Sequence, residues 1–132
     1  MQARKFVHPG ILHTTKSIER MRAQIADKEY PAYGSFELLK SHHCSQADYQ
    51  PFGPFEIISR DGEFRHTKSK MEQDFSAVYQ NALMWVLTGE KTHAEKSLEL
   101  LLGYAGTLKR IPETNDAPLL VGLEGLKIIY AT

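Results

Sequence analysis

The stretch "KMEQDFSAVYQNALMWVLTGEKTHAEKSLELLLGYAGTLKR", from Lys70 to Arg110, constrains the fold more than any other part of this chain. Met71, Phe75, Val78, Ala82, Trp85 and Val86 recur at steps of three and four, and Ala94, Leu98, Leu101, Leu102, Ala105 and Leu108 resume the period after a short break. That spacing puts each set on one helical face, so two amphipathic helices are predicted at 70–88 and 92–109. The break "TGEKT" holds Gly89, suited to the left-handed residue that closes a helix, and Thr88 or Thr92 to cap. A connection this short predicts an antiparallel helical hairpin.

Upstream, Thr14 or Thr15 can cap a helix over 14–28 in which Ile18, Met21 and Ile25 share a face and Glu19, Arg20, Arg22 and Lys28 stay in water. "YPAYGSFELLKSHH" predicts a shorter helix at 33–41, carrying Phe36 and Leu39. From about 44 to 69 the pattern fails at Pro51, Gly53, Pro54 and Gly62, and "FEIIS" is the one hint of extended chain. A loop of that length is expected to be functional or disordered. After Asn115-Asp116-Ala117-Pro118, the residues Leu119, Leu120, Leu123, Leu126 and Ile129 predict a last helix at 118–130. Its apolar face is read as the first half of a further hairpin. On that reading it self-associates or frays, unless it packs back on the preceding pair as the last element of a small bundle. The fold class expected is all-α.

Composition narrows the function classes. Sixteen Lys plus Arg balance sixteen Asp plus Glu, so no global basic field recruits nucleic acid. One cysteine, Cys44, excludes an internal disulfide framework, and no CxxC pair signals a zinc ribbon. No apolar run reaches the length of a membrane span, and "MQARKFVHPG" is followed by no apolar segment of the kind a signal peptide needs. His8 and His13 read as hydrogen-bonding anchors of the N-terminal segment. His42-His43-Cys44 looks more like a ligand cluster, but adjacent histidines rarely converge on one ion unaided, so no metal and no cofactor is assigned. Trp85 and Tyr79 read as core residues rather than as sugar-stacking platforms.

Three phrases in order, "HPGILHTTKSIERMRAQI", "AVYQNALMWVLTGEKTHAEKSLELLLGYAGTLK" and "TNDAPLLVGLEGLKI", resemble the N-terminal part of the alginate lyase-like superfamily of polysaccharide lyases. The resemblance spans residues 8 to 132. It implies the first helices of an (α/α) toroid, a periplasmic or secreted location, and an acidic polysaccharide of uronic-acid units as partner. It also implies β-elimination, in which a base takes the C5 proton and an acid protonates the departing glycosidic oxygen. The family's Asn-His pair and catalytic tyrosine have no counterpart at matching positions, and no Asn-His dipeptide occurs, so this chain alone is expected not to cleave. The catalytic residues stay unassigned.

Neutralising a uronate carboxylate calls for cationic forks, and "ISRDGEFRHTKSK" offers Arg60, Arg65, His66, Lys68 and Lys70 just before the long helix, where the family's lid loop lies. The segment is either such a lid or a solvated basic turn. Asn115 and Asp116 are either caps of the following helix or pocket-facing groups. The candidate substrate-binding set is therefore Arg60, Arg65, His66, Asn115 and Asp116. A non-catalytic helical-repeat module that binds a protein or a glycan fits the same pattern of helices.

Overall fold

The computed structural model describes residues 14–59, 62–111 and Lys127. Arg60, Asn115, Asp116, His8, His13 and the helix expected at 118–130 lie outside the described residues, and so does the self-association expected of that helix. The described chain is mostly helical: α1 (Thr15–Ala26), α2 (Ala32–Ser41), α3 (Lys68–Thr88) and α4 (Lys91–Thr107), with short 3-10 helices η1 (His43–Ser45) and η2 (Gly62–Thr67). It is an all-α arrangement; its one β feature among the described residues is an isolated bridge between Ile57 and Arg110.

Specific groups explain several of the helix ends. The Thr14 hydroxyl accepts from the Ser17 amide at 3.1 Å, and the Ser17 hydroxyl accepts from the Thr14 amide at 2.9 Å, a capping box that starts α1. α1 stops at Ala26 rather than 28, because Lys28 turns left-handed with φ 54°. Gly89, at φ 75°, closes α3 and returns its amide to the Trp85 carbonyl at 2.7 Å. The last carbonyls of α3 find side-chain partners too: the Arg22 guanidinium of α1 donates to Val86 O, and the Thr88 hydroxyl donates to Met84 O at 2.7 Å. At the end of α2, Ser45 donates to Leu39 O and Gln46 donates to Lys40 O at 2.8 Å, which fixes the departing chain.

α3 is the hub. It packs against α4 along its length and also meets α1, η1 and η2. One cluster joins Cys44, Tyr49, Ala77, Val78 and Leu100; a second joins Ile58, Met71, Phe75 and Tyr104, with Phe55, Leu108 and Ile111 against it. Phe75 and Tyr104 meet edge to face at 5.1 Å.

The period read from the sequence is right, but its phase on α4 is right only in part: Leu101 and Leu108 pack against the core clusters. Leu98 and Leu102 are 56% and 60% exposed, whereas His93, Ser97, Leu100 and Tyr104 are buried. On α3, Met71, Phe75 and Val78 are buried as expected, joined by Asp74, Ala77, Asn81 and Met84, while Ala82, Trp85 and Val86 are half-buried. Polar residues take the inward face because they find hydrogen-bond partners across it. The segment 44–69 is not structureless either: η1 and η2 lie in it, α3 already starts at Lys68, and "FEIIS" contributes only the Ile57 bridge.

Candidate functional site

Asp74 is fully buried in the middle of α3's inward face. Both carboxylate oxygens are used twice. Oδ1 accepts from the Tyr49 hydroxyl at 2.7 Å and the Phe52 amide at 2.9 Å; Oδ2 accepts from the Tyr104 hydroxyl at 2.6 Å and the Gly53 amide at 2.8 Å. Four donors fill about four lone-pair sites, the condition under which a lone buried carboxylate is tolerated without a cation. The consequence reaches the loop: two backbone amides and one side chain from 49–53 are tied to α3, and Tyr104 ties α4 to the same atoms. Gly53 is required there, since a Cβ would stand 2.5 Å from the Tyr104 hydroxyl and 2.9 Å from the Phe55 amide. Beyond it, the Glu56 carbonyl accepts from the Lys109 and Arg110 amides at 2.7 and 3.2 Å, holding the loop to the end of α4.

A second polar group lies further along the α3–α4 seam. Asn81 Nδ2 donates to Cys44 O at 3.1 Å and Ala77 O at 3.0 Å, which leaves Oδ1 to accept from His93 Nδ1 at 2.9 Å. The Ser97 hydroxyl donates to Val78 O at 2.8 Å. An asparagine and a histidine do meet in this protein, but both are buried and spent on structure. The tyrosines are similarly committed. Burial, then the hydrogen bond to Asp74, push the Tyr49 and Tyr104 hydroxyls well above their ordinary range. A phenol acting as base needs the opposite shift, so neither is poised to take a proton from a sugar.

Of the sequence-named site residues, Arg65 and His66 are described, and both are exposed on η2. They ride on a fixed turn: the Thr67 hydroxyl accepts from the Ser59 amide at 3.0 Å and donates to Phe64 O at 2.8 Å, and Ser59 and Thr67 are both buried. The structure therefore brings Arg65 and His66 together on one small lobe. The residues that the sequence reading passed over are Asp74, Tyr49 and Tyr104. A signal for two of them existed: Asp74 and Asn81 sit seven residues apart on α3, and on the next helix Ser97 follows His93 by four and Tyr104 follows Ser97 by seven, steps that keep each set on one helical face.

A third polar group occupies the surface beside η1. His43 Nε2 is 3.3 Å from the Cys44 thiol and 3.1 Å from Gln73 Oε1, and the Cys44 amide donates to His42 Nδ1 at 3.1 Å. The two imidazoles are stacked at 4.5 Å and exposed, while Cys44 is buried. Burial pushes the Cys44 thiol up, with Lys127 pulling the other way. Lys127 itself donates to Ser76 Oγ at 3.0 Å on α3.

Comparison with protein-family models, with curated proteins and with solved structures returns no match. No helix among the described residues is long and apolar enough to cross a membrane.

Proposed function

We propose that the chain supplies the N-terminal helices of an alginate lyase-like polysaccharide lyase, in the periplasm or outside the cell, that acts on a uronic-acid polymer by β-elimination. In this reading the described part binds polymer and does not itself cleave. The supporting observation is the η2 lobe: a guanidinium and an imidazole, both exposed, on a turn pinned by Thr67 and placed directly before α3. A fork of donors held this way suits a sugar carboxylate, and the order lobe then long helix is that of the family's lid loop. The pairing of residue 81 with 93, 78 with 97 and 74 with 104 supports an antiparallel hairpin of the kind from which an (α/α) toroid is built.

The purified chain is expected to bind alginate or pectate in a salt-sensitive way and to release no ultraviolet-absorbing unsaturated product. An Arg65→Ala, His66→Ala double variant is expected to lose most of that affinity. Equal binding to a neutral glucan, or robust product formation, overturns the reading. A non-catalytic module that docks another protein is the second reading, favoured by the outward Leu98 and Leu102 on α4.

A further inference from the structure

We propose that His42, His43 and Cys44 form a binding site for a transition-metal ion of the zinc class, separate from the glycan-facing lobe. One ring nitrogen from each histidine and the Cys44 sulfur all lie within 4.8 Å of one another. Zinc bonds of about 2.3 Å to sulfur and about 2.0 Å to nitrogen, at a tetrahedral angle, set the two donors roughly 3.5 Å apart. The Cys44 Sγ to His43 Nε2 separation of 3.3 Å is close to that bite. His42 Nδ1 lies on the Cys44 side, where it accepts from the Cys44 amide, and ligation through this nitrogen displaces that one hydrogen bond. Gln73 Oε1, 3.1 Å from His43 Nε2, supplies an oxygen at the edge of the cluster for the fourth position, or leaves that position to water.

Adjacent ligands on a chain normally point apart, and here the surroundings prevent that. The Cys44 carbonyl accepts from Asn81 at 3.1 Å, and its thiol sits 3.7 Å from the Gln73 carbonyl, so Cys44 is fixed against α3. The 3-10 turn of η1 then folds both imidazoles over the sulfur. Both rings are exposed and so can rotate toward an ion. A thiol, two imidazoles and no carboxylate select a borderline or soft ion over calcium or magnesium. Binding replaces the thiol proton: the S–H bond breaks, the electron pair passes to the metal, and one proton leaves to solvent.

Titration of the full chain with zinc, and with cobalt(II) as an optical probe, tests the site. One ion per chain is expected, with a thiolate-to-cobalt charge-transfer band in the near ultraviolet that disappears in Cys44→Ser. A His42→Ala, His43→Ala double variant, whose fold is checked by circular dichroism, is expected to bind zinc about tenfold more weakly or worse. If Cys44→Ser does not fold, the double variant decides alone, since it alters only exposed rings. A cobalt complex without the charge-transfer band overturns the proposal. So does undiminished zinc affinity in the double variant, which would place the ion on other histidines of the chain. Neither outcome bears on polyuronate binding by the η2 lobe.

Discussion

The two polar groups in the α3–α4 seam solve the same problem in different ways. At Asp74 a full charge is buried and saturated by four donors, three of them from the 49–53 loop. At Asn81 and His93 no carboxylate is at the centre, and the hydrogen bonds stay with the helix pair apart from one to the Cys44 carbonyl. A charge-assisted hydrogen bond contributes about 1.5 to 3 kcal/mol, against about 1 for a neutral one. The charged anchor is therefore strong enough to order a loop with little regular structure. The Asn81–His93 pair links the two helices further along the seam. Asp74 thus holds both the loop and, through Tyr104, α4, whereas Asn81 and His93 add a second tie between the helices.

The largest expected effect breaks the charged end. Asp74→Ala strands two hydroxyls and two amides, and the cost is expected on the order of 4 kcal/mol in urea unfolding, enough to unfold a marginal domain. An isosteric Asp74→Asn change keeps one acceptor oxygen and is expected to cost roughly half as much.

Alkaline pH reaches the same end without a mutation. Tyr49 and Tyr104 hold their protons more tightly folded than unfolded, so their contribution is complete below the unfolded value near 10.0 and is lost as pH rises above it. Stability is expected to fall by about 1.4 kcal/mol per pH unit for each tyrosine beyond that point. Tyr49→Phe and Tyr104→Phe should each flatten the slope, and a curve unchanged in both variants would separate the tyrosines from the anchor.

At the Asn81 end, His93→Ala leaves Asn81 Oδ1 without its donor and opens a small void, for an expected loss of about 2 kcal/mol. Unlike the Asp74 variants, it should leave the 49–53 loop ordered. The smallest effect belongs to the outer face of α4. Leu98→Ser and Leu102→Ser are expected to change stability by less than about 0.5 kcal/mol, because both side chains are already in solvent.

The helices were legible in the sequence for a physical reason: Gly89, Thr14 and the three- and four-residue steps act locally, and local signals survive without tertiary knowledge. The inward face of α4 was not. Leucines at 98 and 102 outweigh His93, Ser97 and Tyr104 on any scale of hydrophobicity, and what reverses the choice is a set of partners on another helix. The ordering of 44–59 was hidden for the same reason, since its anchor, Asp74, lies more than twenty residues downstream of the amides it holds. Of the candidate site, the exposure of Arg65 and His66 followed from their charge, whereas the convergence of His42, His43 and Cys44 depends on a 3-10 turn that the residue pattern did not announce.

Native-state hydrogen exchange at the amides of Phe52 and Gly53 tests the anchoring role of Asp74 most directly. Phe52 has a half-exposed side chain in a segment outside any helix, so an unanchored loop would exchange there at nearly the free rate. The account predicts protection comparable to that of α3 amides around Ala77 and Val78, lost together with the anchor in Asp74→Asn. Fast exchange at both amides in the unaltered protein, alongside a protected α3, would contradict it.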